Sequence, residues 1–313
     1  MKLLLVLLIA IPLLLFILAE LSLKIIWGFG NPPLYIADEK IGYLLAPNQR
    51  LRRMGNRIEI NEYSMRSPSV ARERPEGTLR VLLLGDSVAN GGWWTDRAQT
   101  ISYLMQEQLQ QGGQTVEVLN ASANSWSPRN ELAYVRRFGL FGAQVVVLLI
   151  NTDDLFGTKP SSLQVGRDRN YPDRKPPLAL VEAYTKYFVK QKPIPGLAEI
   201  HKEEGDRVGI NLEAIGNLNE IARANNSQLI LAMTPLLREI GKPGPRDYEL
   251  TARERVKQFV NKRDIFYLDF LVDFNAHSDP KTLYRDHIHL SPLGNEKVRD
   301  RVVGAISKQI AKL

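Results

Sequence analysis

The chain has 313 residues, of which 44% are hydrophobic and 24% are charged, a composition typical of a globular protein with a sizeable core. The formal net charge of +7 comes from basic residues scattered along the sequence, which do not form the basic stripe that nucleic-acid binding requires. The sequence contains no cysteine, which excludes disulfides, thiolate nucleophiles and cysteine-based zinc sites.

An apolar run opens the chain, from Leu3 to Ala19, and apolar residues beyond Glu20 extend it to Trp27. At about 1.5 Å of rise per residue, a helix of this length comes close to crossing a hydrocarbon core of ~30 Å. A cleaved signal peptide is the alternative, but the residues before Glu20 lack the small residues of an A-x-A-like cleavage site. We therefore predict that residues 1–27 are an uncleaved signal anchor, a single transmembrane helix with the following domain outside the cytoplasm, in the periplasm.

Residues 28–78 are rich in glycine, proline and polar side chains. One short strand is predicted at Arg57–Ile60, and the rest of this region has the turn-forming composition of a connecting segment. We expect it to form a stalk and collar that lies outside the core of the following domain.

From Leu79 onward, short apolar segments alternate with segments of helical periodicity. The predicted strands are Val81–Leu84, Val116–Leu119, Val145–Ile150, Gln228–Met233 and Ile265–Leu271. The predicted helices are Thr100–Gln111, one that begins at Pro128, Asn211–Asn225, Ala252–Asn261 and Pro292–Lys312. This alternation predicts an α/β domain over residues 79–313, with a mostly parallel five-stranded sheet covered on both faces. Functional sites in such sheets lie beyond the carboxyl ends of the strands.

The segment from Leu155 to Gly196 shows no clear period until Leu178–Lys190, and it carries many basic residues and prolines. A long loop inside a compact domain is typically a lid or a binding loop. Its basic side chains could meet an acidic glycan or anionic headgroups, and simple solvation is the alternative.

Two separated motifs carry the candidate chemistry. Ser87 follows the first predicted strand in the tripeptide Gly85-Asp86-Ser87, where a serine hydroxyl can project from the mouth of the sheet. Asp286 precedes His289 by three residues, a spacing that lets the carboxylate orient the imidazole. The alternatives are that Asp86 or Ser87 only caps a helix, that Asp286 is only a turn residue, or that His287 and His289 bind a metal.

The G-D-S tripeptide and the phrase D-H-I-H-L-S-P-L-G-N-E resemble the first and last blocks of the SGNH (GDSL-type) hydrolases. The resemblance covers about residues 79–313, and the preceding stretch is similar to the stalk of membrane-anchored bacterial members. It implies a flavodoxin-like three-layer α/β/α fold and a serine esterase without cofactor or metal. It also implies a catalytic triad of Ser87, His289 and Asp286.

The two middle blocks of that family are degraded here. The glycine whose backbone N–H binds the oxyanion corresponds to Ser122, and the asparagine whose amide completes the oxyanion hole corresponds to Asp153. We therefore expect an oxyanion hole formed by the backbone N–H groups of Ser87 and Ser122, with Asp153 acting only if protonated. Asn124 and Asn151 are alternative amide donors.

Three functions are consistent with these residues. An esterase would release acyl groups from envelope carbohydrate or lipid to water, and an O-acyltransferase would pass them to a sugar hydroxyl through the same triad. The departures at Ser122 and Asp153 also allow a non-catalytic protein that binds glycan or supports assembly. The expected partners are an ester-bearing carbohydrate or lipid and the membrane, without nucleic acid.

Overall fold

The computed structural model describes residues 2–310, and the last two residues of the predicted helix Pro292–Lys312 lie outside this range. The strands are β1 (Tyr35–Asp38), β2 (Gly42–Leu45), β3 (Gln49–Arg53), β4 (Asn56–Ile60), β5 (Leu79–Gly85), β6 (Val116–Ser122), β7 (Val145–Asn151), β8 (Gln228–Thr234) and β9 (Phe266–Asp269). The α-helices are α1 (Lys2–Ile25), α2 (Ser87–Asn90), α3 (Ile101–Gln110), α4 (Pro128–Phe138), α5 (Ala179–Tyr187), α6 (Leu197–His201), α7 (Arg207–Ala224), α8 (Asp247–Arg263), α9 (Phe270–Asn275) and α10 (Pro292–Ile310). Short 3-10 helices lie at Arg97–Gln99, Thr152–Phe156, Leu237–Glu239 and Pro280–Leu283.

The predicted five-stranded sheet is confirmed, and all its strands are parallel. Its order is β6-β5-β7-β8-β9, the flavodoxin-like order of a doubly wound sheet. Every residue of β5 and of β7 is buried, because helices cover both faces of the central strands. The two faces are packed in two separate apolar clusters, one containing Leu82 and Leu84 and the other containing Val81 and Leu83.

The last strand differs from the predicted Ile265–Leu271. Strand β9 ends at Asp269, whose carboxylate accepts a hydrogen bond from the backbone N–H of Leu271 and so caps the first turn of α9. The apolar residues Phe270 and Leu271 therefore belong to a helix, because the aspartate satisfies an N–H group that the helix itself leaves free.

The collar contributes to the core, which corrects the expectation that residues 28–78 lie outside it. Strands β1 and β2 pair as one antiparallel hairpin, and β3 and β4 pair as another. Their side chains Leu44 and Ile60, together with Met65, are buried in the same apolar cluster as β5 and β7. Alternation along β3 and β4 directs only every second side chain inward, so the sequence of this region looks polar although its inner face is apolar.

An apolar helix at the N-terminus is confirmed. The segment Val6–Ile25 of α1 has the length and composition to cross a membrane, a test that a signal sequence also passes. Its described side chains are exposed as far as Ala19, so this part of α1 does not pack on the domain. At Glu20 the side chain becomes buried, and the last turns of α1 pack against α5.

Candidate active site

The serine of the first motif lies at the carboxyl end of the central strand β5. A Cβ atom at Gly85 would lie 2.4 Å from the carbonyl oxygen of Leu149 and 2.8 Å from the Cβ of Ala89, so only glycine fits at this close approach. Asp86 accepts a hydrogen bond from the backbone N–H of Val88 and caps α2. The chain thus turns sharply, and Ser87 becomes the first residue of α2.

The structure brings the three residues of the two motifs together in one hydrogen-bonded row. The Ser87 Oγ lies 3.0 Å from the Nε2 of His289, although 202 positions separate the two residues in the sequence. The Nδ1 of His289 lies 2.8 Å from the Oδ2 of Asp286. These distances are within the range in which an imidazole can take a proton from a hydroxyl while a carboxylate holds its other nitrogen.

Asp286 is fixed by its own backbone. Its Oδ1 accepts hydrogen bonds from the N–H groups of Ile288 and His289, at 3.0 Å and 2.9 Å. Partial burial opposes ionisation, but these hydrogen bonds and the one from His289 outweigh it and lower the pKa of Asp286 below the ordinary value. The carboxylate is therefore ionised at neutral pH and can stabilise a protonated His289.

The H-x-H pair does not form a metal pair in this arrangement. His289 faces Ser87 and Asp286, whereas the His287 side chain is 84% exposed. Residues 2–310 contain no group of three or more histidine and acidic side chains placed to hold a metal ion.

Further carboxyl groups lie beneath the serine. The Oδ2 of Asp86 lies 3.2 Å from the Ser87 Oγ and accepts a hydrogen bond from the Nδ2 of Asn151 at 2.8 Å. Burial raises the pKa of Asp86, and burial beside Asp86 raises the pKa values of Asp154 and Glu131 well above the ordinary range. Several buried acids in one place cannot all be ionised at once. Some of these three carboxyl groups therefore stay protonated beside Ser87.

A pocket of about 270 Å³ opens in front of the row. Ser87 and His289 line it together with Trp93, Trp94 and Asn124. The Trp94 ring packs on the imidazole of His289, with 4.3 Å between ring centroids, and the Trp93 ring meets Trp94 edge to face. The indoles therefore form an apolar wall that restrains the imidazole and excludes water from one side of it.

Not all of the predicted oxyanion residues reach this pocket. Ser122 is the last residue of β6, only 1% exposed, and its hydroxyl donates to the side chain of Asn120. The side-chain amide of Asn151 donates its hydrogen bond to Asp86. Asp153 is an exposed residue of the 3-10 helix that follows β7. None of these three is among the residues that line the pocket, whereas Asn124 is. The Oδ1 of Asn124 is buried and has no hydrogen-bond partner among residues 2–310.

Ser125 also lines the pocket, although no motif in the sequence predicted it as a site residue. Its φ is 60°, in the left-handed region that favours glycine. The segment is held in place by Tyr43, whose hydroxyl donates to the carbonyl of Asn124, and by Tyr171, whose hydroxyl donates to the Ser125 Oγ. A glycine in the sequence would have marked this turn, but a serine there gives no such signal.

The flavodoxin-like parallel sheet carries a serine, a histidine and an aspartate in one hydrogen-bonded row at its carboxyl edge, an arrangement that recurs in serine hydrolases. The family is shown by sequence: residues 83–297 match the GDSL-like lipase/acylhydrolase family, and the chain belongs to it. It is thus an esterase-type member of a family of ester hydrolases. A search of curated proteins found no match.

Several solved structures are similar to this chain at low sequence identity. The acetyl xylan esterase AlAXEase is 16% identical, with a TM-score of 0.50 over 73% of this chain and 100% of its own. Axe2, an acetylxylan esterase from Geobacillus stearothermophilus, is 14% identical, with a TM-score of 0.49 over 72% and 94% of the two chains. The esterase EstA from Pseudoalteromonas sp. is 14% identical, with a TM-score of 0.46 over 74% and 98%.

Proposed function

We propose that the protein is a serine esterase in which Ser87 is the nucleophile, His289 the general base and Asp286 the group that orients the imidazole. The observation that carries this proposal is the continuous row of hydrogen bonds from the Ser87 Oγ through His289 to Asp286. The row lies at the mouth of a pocket, where an ester can reach the hydroxyl.

Catalysis then proceeds in two halves. The Ser87 Oγ attacks the ester carbonyl while the Nε2 of His289 takes the hydroxyl proton, and the imidazolium gives that proton to the departing alcohol oxygen. The acyl group remains on the Ser87 Oγ. A water molecule then attacks the acyl carbon, loses its proton to His289 and releases the acid, and the proton returns to the serine. Asp286 stays ionised in both halves and stabilises the imidazolium.

The oxyanion hole follows from the residues that reach the pocket. We assign it to the backbone N–H of Ser87, the backbone N–H of Ser125 and the side-chain amide of Asn124. Support comes from the positions of Asn124 and Ser125 in the pocket wall and from the glycine-like φ of Ser125. In this assignment, the predicted donors Ser122, Asn151 and Asp153 do not bind the oxyanion.

An Asn124→Ala variant tests this assignment. We expect kcat to fall by about 10²–10³-fold, the usual cost of one oxyanion donor, with little change in KM. Ser125→Gly keeps the backbone N–H and the φ, so we expect it to retain activity within about threefold. Steady-state rates with p-nitrophenyl acetate measure both effects.

The matching control is Asp153→Asn, which restores the family residue at that position. Because Asp153 lies outside the pocket wall, we expect its rate to stay within about threefold of wild type. A large gain in rate with Asp153→Asn, together with normal rates for Asn124→Ala, would return the oxyanion role to position 153.

The pocket suits a short acyl group. Its volume of about 270 Å³ is below the ~300–1,000 Å³ of pockets that enclose drug-sized ligands. The acetyl xylan esterases with a similar fold act on acetylated carbohydrate, and acetyl esters of envelope carbohydrate or lipid are the substrate class that we propose here.

We also propose that α1 is retained as a membrane anchor of the bacterial type, with the α/β domain outside the cytoplasm. The support is the burial of Glu20 against α5, which makes the end of α1 part of the folded protein. We also propose that residues 1–27 are the anchor, residues 28–78 the collar and residues 79–313 the α/β domain.

The full-length protein in detergent tests the proposed function directly. With p-nitrophenyl acetate we expect a burst of p-nitrophenol followed by steady turnover, because an acyl-enzyme forms before it is hydrolysed. A fluorophosphonate probe should abolish the activity and leave a covalent adduct on the peptide that contains Ser87. A folded protein with neither a burst nor an adduct would refute the proposal and favour a non-catalytic binding role.

A further inference from the structure

Helix α5 is part of the α/β domain and also packs against the end of α1, the proposed membrane anchor. The two carboxylate oxygens of Glu20 accept hydrogen bonds from the backbone N–H groups of Ala179 and Leu180, both at 2.9 Å, and so cap the first turn of α5. Glu20 lies about 7–8 Å from the end of α1 at Ile25, given a rise of 1.5 Å per residue. The exposed part of α1 ends at Ala19, so if this part spans the hydrocarbon core, α5 begins at the edge of that core, near the lipid headgroups.

The outer face of α5 is apolar and uncovered. Tyr184 is 62% exposed and Phe188, which follows the last turn, is 78% exposed. Val181 and Tyr187 are exposed beside them, and so is Trp27 at the end of α1. Aromatic side chains with one apolar and one polar end are the residues that settle at membrane interfaces. This aromatic face is continuous with the anchor, so the surface available to cover it is the membrane itself.

The inner side of α5 forms a wall of the active-site pocket. Lys186 lines the pocket, with its Nζ 4.7 Å from the centroid of the Trp93 ring. Arg169 also lines it and donates a hydrogen bond to the carbonyl of Lys186 at 2.7 Å. Glu182 fixes the helix by a 2.6 Å ion pair with the buried Arg53. One short helix thus has the membrane helix at its start, an aromatic outer face and the pocket on its inner side.

The charge around the pocket agrees with a lipid ligand. Lys186 and Arg169 have no salt bridge to a carboxylate among residues 2–310. The Nε and Nη1 of Arg169 donate to Gln191 and to the carbonyls of Thr185 and Lys186, which leaves its Nη2 for an anionic group. Lys190 and Lys192, which follow α5, are exposed on the same segment. Basic side chains close to an interface attract anionic headgroups.

We propose that α5 lies in the membrane interface and that the substrate is an anionic amphiphile with a short acyl ester, reached by the pocket from the membrane. This inference rests on the esterase function proposed above and narrows its substrate to a membrane-dissolved molecule. The acyl group enters the small pocket, the anionic headgroup meets Lys186 and Arg169, and the alkyl chains remain in the bilayer.

The position of α5 can be measured without any catalysis. The chain has no cysteine, so Phe188→Cys supplies a single labelling site, and Val272→Cys on α9, where Val272 is 74% exposed, is the matched control. The full-length protein is reconstituted in vesicles of phosphatidylcholine and phosphatidylglycerol and labelled with an environment-sensitive fluorophore. We expect the label at position 188 to be quenched by headgroup-level spin-labelled lipid and protected from aqueous iodide, and the label at 272 to show the reverse. Equal access of iodide to both labels would refute the docking of α5.

The membrane location of the substrate is tested with two esters that share one acetyl group and one type of leaving group. They are soluble 7-acetoxycoumarin and a 7-acetoxycoumarin with an octadecyl chain, dissolved in the same vesicles. For Tyr184→Ser/Phe188→Ser we expect kcat/KM to fall by about tenfold or more on the membrane ester and to stay within about twofold on the soluble ester. A control pair of exposed apolar residues away from α5, Leu250→Ser/Val272→Ser on α8 and α9, should leave both rates unchanged.

The outcomes separate the two proposals. If wild type hydrolyses the soluble ester but the α5 variant loses activity equally on both esters, the membrane substrate is refuted and the esterase function stands. If wild type hydrolyses neither ester, the esterase function fails and the substrate assignment fails with it, while the quenching result still decides whether α5 lies in the interface.

Discussion

Replacing Ser87 with alanine is expected to abolish ester hydrolysis, with kcat reduced by on the order of 10⁴–10⁶-fold. The Ser87 hydroxyl is the group of the row that lines the pocket beside the base His289, and without it no acyl-serine can form. The loss should appear in kcat rather than in KM, because the pocket walls that hold the substrate are unchanged. Rates with p-nitrophenyl acetate and labelling by a fluorophosphonate probe measure the effect.

The pocket supplies its own control for this experiment. Ser125 is a second serine in the same pocket wall, and Ser125→Gly removes its hydroxyl without strain because the φ there is glycine-like. Probe labelling should survive in Ser125→Gly and disappear in Ser87→Ala, while circular dichroism shows that both variants fold. Labelling of Ser87→Ala at wild-type rates would mean that another residue is the nucleophile.

The central sheet could be predicted from sequence because burial on both faces leaves an unambiguous pattern. Strands such as Val145–Asn151 consist of apolar residues almost without interruption, and glycine or a polar residue marks where each strand ends. The triad could be proposed for a related reason. The carboxyl ends of parallel strands meet at one edge of the sheet, so residues 202 positions apart come within 3.0 Å.

The collar could not be predicted in the same way. Strand β3 has the sequence Gln-Arg-Leu-Arg-Arg, which looks like a polar loop, and its buried Arg53 forms an ion pair with Glu182, which lies 129 positions away in the sequence. Such burial depends on partners that are distant in sequence, and no local pattern reveals it. The inner residues of the collar become core residues only when the hairpins pack on the α/β domain.

The proposed oxyanion donors were the least predictable part of the candidate site, because their placement depends on a backbone conformation. Matching the family blocks by residue type led to Ser122 and Asp153, which the structure places outside the pocket wall. Asn124 and Ser125 reach the pocket because the chain turns there at a positive φ, a feature that is visible in sequence only when glycine occupies the position.

Replacing Asp286 with asparagine is expected to lower kcat by about 10⁴-fold while the fold and the turn are preserved. The asparagine Oδ1 can still accept the N–H groups of Ile288 and His289, so the loop keeps its shape. Its Nδ2, however, is a donor that faces the Nδ1 of His289. The imidazole must then carry its proton on Nε2, where it can no longer accept the proton of Ser87.

The matched control is Asp279→Asn, because Asp279 also caps a turn, through the backbone N–H of Lys281, but lies outside the site. It should retain activity within about threefold. The comparison then distinguishes the loss of a charge in a turn from the loss of a charge beside the imidazole. Because hydrogen bonds hold the pKa of Asp286 below its ordinary value, wild type should keep this ionised partner down to pH values below those at which a free aspartate is protonated. If Asp286→Asn instead retained more than about a tenth of the wild-type kcat, His289 would act without this carboxylate, and a two-residue mechanism would replace the triad.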